Sequence, residues 1–197
     1  MQGAPKTLVI ACGALARELL AVVEANKLAH ISVTCLPAIL HNRPQEIPAE
    51  VRRKIRAARG KYDEILCLYG DCGTGGELDR MLAQEGVERI AGAHCYEFFA
   101  GSPDFAAMME AEIGTFFLTD YLTRHFDRLI FKGLGLDRFP QLRDDYFQHY
   151  KRVVYLAQTD DPTLAAKARA AAARLGLDFE MRVTGYGVMA SFLTRAA

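Results

Sequence analysis

The sequence predicts an α/β fold: a mostly parallel sheet with helices on both faces, three-layered and doubly wound, in a single domain over residues 1–197. Three observations predict it. Short apolar runs of strand length alternate with segments of helical spacing. The first run, TLVIA, is continuously apolar, as a strand covered on both faces is. No repeat, low-complexity tract or flexible linker interrupts the alternation.

The elements follow in order. Residues 7–11 (TLVIA) read as a strand broken by Cys12-Gly13, and 14–24 carry apolar residues at helical spacing. Residues 31–36 are the second strand, followed by a loop over 37–48 that contains His41. Residues 49–59 make a basic amphipathic helix. The third strand, 64–69 (EILCLY), leads into Gly70-Asp71-Cys72-Gly73-Thr74-Gly75-Gly76. A helix over about 77–84 and a fourth strand at 87–91 come next, then Gly92-Ala93-His94-Cys95 and an apolar helix start. Further on, 114–119 reads as a strand and 120–131 as an aromatic-rich helix, and the stretch to Tyr150 mixes turns with aromatic helical segments. Residues 153–157 (VVYLA) are a strand. Asp161-Pro162 opens an alanine-rich helix with proline in its first turn, ending at Gly176, and 179–184 form the last strand.

Composition excludes several classes. The 197 residues are 51% hydrophobic, enough for a sizeable core and unlike a disordered or collagen-like chain. Twenty-four basic residues balance twenty-four acidic ones, which leaves no footprint for nucleic acid and no polybasic stretch for a membrane surface. The apolar runs are too short and too often broken by charge to span a bilayer, and the N-terminal run reads as a strand rather than a signal peptide. A cytoplasmic protein is expected. Five cysteines in that compartment are core residues, catalytic thiols or metal ligands rather than a disulfide framework.

Ligands of open parallel sheets sit beyond the carboxyl ends of the strands. Cys12, Cys72 and Cys95 follow the first, third and fourth strands, each in a loop with glycine nearby, so parallel strands would bring them to one edge. Cys35 and Cys67 lie inside strands and read as small buried hydrophobes. A helix N-terminus stabilises a thiolate, which suits both metal ligation and nucleophilic chemistry. Three soft ligands with an imidazole suit zinc, iron or an iron–sulfur cluster, although no C-x-x-C pair is present. His41 lies in the loop after the second strand, on the same edge. His94, beside Cys95, reads as a ligand, a proton carrier or a loop histidine bonded to backbone. His30, His125 and His149 read as surface residues.

The loop after the third strand is not a P-loop, because no G-K-[ST] follows, and it lacks the third glycine of G-x-G-x-x-G. Gly13, Gly73 and Gly75 are expected to let backbone turn tightly and approach a cofactor or ligand. Glu18 and Glu77, in helices that start at the thiol loops, are candidate bases or holders of a ligand histidine; each also fits a solvated helix face. Arg17, Asp71 and Asp120 add charge near the edge. The stretch FPQLRDDYFQHY reads as a helix packed on the sheet or as a pocket cap.

Together Ala11-Cys12-Gly13, Arg17-Glu18-Leu19, Leu40-His41-Asn42-Arg43-Pro44, Leu68-Tyr69-Gly70-Asp71-Cys72-Gly73, His94-Cys95 and Gly114-Thr115-Phe116-Phe117-Leu118-Thr119 carry a resemblance. The chain resembles, over nearly its whole length, a domain-of-unknown-function family of methanogens and methylotrophic bacteria, whose genes often lie near corrinoid proteins and corrinoid-dependent methyltransferases. Where many members carry His-Asp-Cys, this chain has Ala93-His94-Cys95. The resemblance implies a role in one-carbon metabolism.

The leading expectation is a protein that binds zinc, iron or an iron–sulfur cluster through Cys12, Cys72 and Cys95 with His41 or His94, acting on a small-molecule substrate in corrinoid-linked methyl transfer. One alternative is a metal-free thiol enzyme with Cys72 or Cys95 as nucleophile. Another is a non-catalytic accessory or chaperone that binds a corrinoid protein.

Overall fold

The computed structural model describes residues 5–195. In chain order it contains β1 (Thr7–Cys12), α1 (Ala16–Ala25), β2 (Ile31–Leu36), α2 (Ile47–Ala58), β3 (Glu64–Leu68), α3 (Glu77–Glu85), β4 (Glu88–Arg89), α4 (Cys95–Ala100), α5 (Ser102–Ala111), β5 (Thr115–Thr119), α6 (Asp120–Arg124), α7 (Leu142–Phe147), β6 (Arg152–Ala157), α8 (Pro162–Leu175), β7 (Asp178–Val183) and α9 (Met189–Thr194). Every strand pair is parallel, in the α/β class that the sequence predicts. The strands fall into two sheets, ordered β2-β1-β3-β4 and β5-β6-β7. The chain divides by its contacts into two compact units, one running through Phe98 and resuming at Tyr186, the other Phe99–Gly185.

In the first unit β1 is central, and all six of its residues are buried because strands flank it on both sides. The chain leaves β1 to place β2 on one side, then returns to place β3 on the other. The reversal between β1 and β3 is a topological switch point, where open α/β sheets take ligands. α2 buries Ile47, Val51, Ile55 and Ala58, and α3 buries Leu78, Met81 and Leu82, each at helical spacing. Burial of each such aliphatic side chain contributes roughly 1.5–3 kcal/mol. α9 adds Met189, Phe192 and Leu193 to the core. β4 is shorter than the expected 87–91. It follows β3 only at Leu66–Glu88 and Cys67–Arg89, and one more bond joins Ile90 N–H to the Cys67 carbonyl.

In the second unit α8 is built as its sequence predicts. Asp161 caps it by accepting from the Thr163 and Leu164 amides, Pro162 opens it, and Gly176 ends it at φ 74°. The helix expected over 120–131 is interrupted: α6 stops at Arg124, and a π-helical turn over Asp127–Phe131 follows. Among the described residues no helix is long and apolar enough to cross a membrane.

Candidate functional site at the edge of the first sheet

Strand register begins the site. Ala11 pairs with Leu68, so one step on Cys12, the last residue of β1, and Tyr69, the first after β3, follow side by side across the switch point. Cys12 also pairs with Leu36, the last residue of β2. Two close approaches then draw the loops together. A Cβ on Gly13 would stand 2.9 Å from the Leu36 carbonyl oxygen, so only glycine lets the first thiol loop lie on the chain leading to His41. A Cβ on Gly70 would stand 3.0 Å from the Ala93 oxygen. That contact is zipped by Asp71 N–H donating to Gly92 at 3.2 Å and Cys72 N–H to Ala93 at 2.9 Å, which fixes the Cys72 loop against the loop of Cys95.

Local chemistry holds each loop. The Asp71 carboxylate accepts from the Thr74 hydroxyl at 2.6 Å and from the Gly76 and Gly75 amides at 2.8 and 3.2 Å. The Thr74 hydroxyl first, then these amides, hold Asp71 below the usual carboxylate range. This turn places Cys72 at φ 50°, the left-handed region that costs a side chain about 1–2 kcal/mol. Arg89 ties the neighbouring segment, donating to the Ile90 and Gly92 carbonyls at 2.8 and 3.0 Å while pairing with Asp79 at 2.5 Å. Glu97 accepts from the Ala93 and His94 amides at 2.7 and 3.4 Å, reaching back over the start of α4 as a capping-box carboxylate does.

Within this frame Cys12 is buried, and its sulfur accepts from the Ala14 amide at 3.3 Å and lies 3.8 Å from His41 Nδ1. Burial pushes its thiol up, while the Ala14 amide and the Tyr69 hydroxyl pull it down. His41 Nδ1 lies 3.0 Å from the Ala38 carbonyl oxygen, which can only accept, so that nitrogen carries the proton and Nε2 is left as acceptor. A hydrogen bond with Cys72 is the main reason the His41 pKa stands above its ordinary value. The imidazole also stacks on Tyr69 with ring centroids 6.2 Å apart. Cys95 is partly buried, and burial first, then the charges of Cys72 and Cys12, hold its thiol well above the ordinary range. Tyr69 is fully buried, and its hydroxyl has no hydrogen-bond partner of good geometry; the Cys12 sulfur is the side chain that bears on it, and burial drives its pKa far up.

The structure thus sets His41 against the Cys12 sulfur and holds the Cys72 loop against the loop of Cys95. Among the described residues no group of three or more His, Cys, Asp or Glu side chains stands gathered as an ion would require. The other candidates separate. Glu18 is buried at 4% exposure, not on a solvated face, and its charge acts on Cys95. Glu77 is exposed and turns outward to Arg80. His94 is exposed. Gly73, at φ 85°, packs on Pro44, and the Gly75 amide is already taken by Asp71. Cys67 is fully buried and pushed up to about 12 by that burial, as expected of a core thiol, whereas Cys35 is partly exposed. Sequence reasoning passed over Tyr69 and Arg89. Tyr69 looks like the last apolar residue of a strand, and only its orphaned hydroxyl marks it out.

Fold and edge together define the first unit as an open parallel α/β unit with a thiol–imidazole pair, Cys12 and His41, at its switch point. The chain belongs to the family described as "Protein of unknown function (DUF1638)", which matches residues 35–193 and so takes in His41, Tyr69, Cys72 and Cys95. No curated protein matches it. A solved structure, ornithine carbamoyltransferase from Pyrococcus furiosus, is similar at a TM-score of 0.30 and 16% identity over 89% of this chain and 53% of that one. The chain therefore spans about half the length of that enzyme.

Proposed function

We propose that this protein binds a soft metal ion, zinc or iron (or iron in an iron–sulfur cluster), at the switch point of its first sheet. Cys12, Cys72 and His41 are the ligands, and Cys95 completes the set. One observation supports the reading: the two strands flanking the switch point end in thiol loops, and an imidazole from the loop after β2 lies 3.8 Å from the Cys12 sulfur. The surroundings fit a thiolate at Cys12. The Ala14 amide already points at its sulfur, and the buried Tyr69 hydroxyl, whose missing bond costs about 1–3 kcal/mol, gains a strong acceptor once that sulfur is charged. Donation of Nδ1–H to a backbone carbonyl is how metal-bound histidines fix their tautomer and leave Nε2 for the ion.

A soft cation held there would supply Lewis acidity toward a substrate thiol or water. The protein's own groups would orient the substrate and hold a proton at Tyr69. The family resemblance suggests methyl transfer linked to corrinoid proteins as the use. The test is metal analysis of protein purified anaerobically without added metal. Stoichiometric zinc or iron that is lost in Cys72→Ser supports the reading; substoichiometric metal in both proteins refutes it.

A second reading, a metal-free thiol nucleophile, is favoured by the histidine that stands among the thiol loops. It predicts one fast-alkylating thiol, Cys72, whether or not a chelator is present. The metal reading predicts several thiols shielded together until chelation.

A further inference from the structure

A cleft of about 520 Å³ runs between α2 and α3 and opens at Gly73, next to Cys72. Its size lies within the range of small-molecule pockets. Its walls are one face of each helix. Pro48 and Ala49 on α2 and Met81 on α3 give it an apolar middle, and Arg52 and Arg80 bring two guanidinium groups. The end away from the thiols is closed by Arg52 donating to Gln84 at 2.5 Å. From Glu77 to Gln84 the α3 wall runs about 10 Å.

Beside that closed end positive charge is in excess. Arg52, Arg56 and Arg59 all turn to the single carboxylate of Glu85, at 3.4, 3.0 and 3.1 Å. Arg52 Nε is buried and makes no hydrogen bond. The cleft therefore reaches the Cys72 loop at Gly73 and has an apolar body and a cationic end.

We propose that this cleft holds the substrate of the thiol site, an elongated molecule with an apolar body and one anionic end. The anion sits on Arg52, and the opposite end emerges at Gly73 beside Cys72. What that opposite end does rests on the metal reading above, but recognition of the anion does not.

The experiment titrates isotope-labelled protein with hexanoate and with hexan-1-ol and follows the Gly73 amide and the Met81 methyl. Hexanoate should shift both saturably, and the alcohol should bind at least about tenfold more weakly, having no charge for Arg52. Arg52→Gln should bring hexanoate down to the level of the alcohol. Ala49→Trp, at an exposed helix position, should fill the cleft and abolish both while the circular dichroism stays native. Equal binding of the two probes, shifts that neither variant changes, or shifts that never saturate would each overturn the proposal. Hexanoate carries no soft head group, so its titration should be unchanged in metal-free protein. Metal uptake with a failed titration overturns the cleft alone, whereas a successful titration without metal uptake overturns the metal site and leaves anion recognition standing.

Discussion

The carboxyl edges of the two sheets carry polar groups of opposite character. At the edge of the second sheet, Asp120 is fully buried and every lone pair is used. Its Oδ1 accepts from the Tyr155 hydroxyl at 2.7 Å and the Gln158 amide at 3.0 Å, and its Oδ2 from the Thr159 hydroxyl at 2.5 Å and Arg124 at 3.3 Å. At the edge of the first sheet, the Tyr69 hydroxyl is buried with no hydrogen-bond partner of good geometry, and Cys72 is held in a backbone conformation that favours glycine. A saturated buried carboxylate is a structural fastener. Unmet hydrogen-bonding capacity and backbone strain, gathered at a switch point, are what the proposed metal site would use. Between Asp120 and Tyr69 the difference lies in satisfaction, not in polarity or burial.

The comparison predicts that substitutions at the second edge destabilise, whereas substitutions at the first stabilise and disable. The largest effect belongs to Asp120→Ala, which orphans several buried donors and should cost about 3–5 kcal/mol in urea unfolding. A loss under about 1 kcal/mol would mean that this network is not the fastener described here. Tyr155→Phe, which removes one of the four donors, should cost about 1–2 kcal/mol. Cys72→Gly should raise stability by about 1 kcal/mol through relief of the left-handed backbone while abolishing metal uptake. A Gly variant that is both less stable and still metal-loaded would break the comparison at its centre. Tyr69→Phe should leave stability unchanged or slightly higher, because it deletes a hydroxyl that makes no well-formed hydrogen bond, and should weaken cobalt(II) binding about tenfold as loss of an outer partner does.

The smallest predicted effect is a pH dependence. Asp71 is held below its ordinary pKa, so its bonds to Thr74, Gly75 and Gly76 are fully present above the usual carboxylate range and are lost as pH falls through its own, lower value. The Gly75 and Gly76 amide resonances should therefore titrate with a midpoint below that of a free aspartate. A midpoint at or above the free value would remove the argument that this carboxylate shapes the Cys72 loop.

Much of this was legible in the sequence, for physical reasons. Runs such as TLVIA and VVYLA announce strands covered on both faces, and β1 and β6 are buried nearly end to end. Asp161, Pro162 and Gly176 announce both ends of α8. The three thiol loops and His41 are legible because parallel strands put every post-strand loop on one edge. The division into two sheets is not legible, because an apolar run says that a strand is buried and not which strand it pairs with. α5 escapes because its apolar residues surround the helix and only Met108 is buried. Glu18 and Glu77 are indistinguishable as letters near a helix start; packing sends one into the core and the other to Arg80. The role of Tyr69 depends on what its hydroxyl fails to meet, and no spacing rule encodes that.

X-ray absorption at the metal edge of the purified, metal-loaded protein tests the central claim most directly. The account predicts a shell of sulfur scatterers at about 2.3 Å with a nitrogen contribution at about 2.0–2.1 Å, the sulfur count falling in Cys72→Ser and the nitrogen contribution vanishing in His41→Ala. A shell of oxygen alone, or a sulfur shell that neither substitution alters, would contradict it.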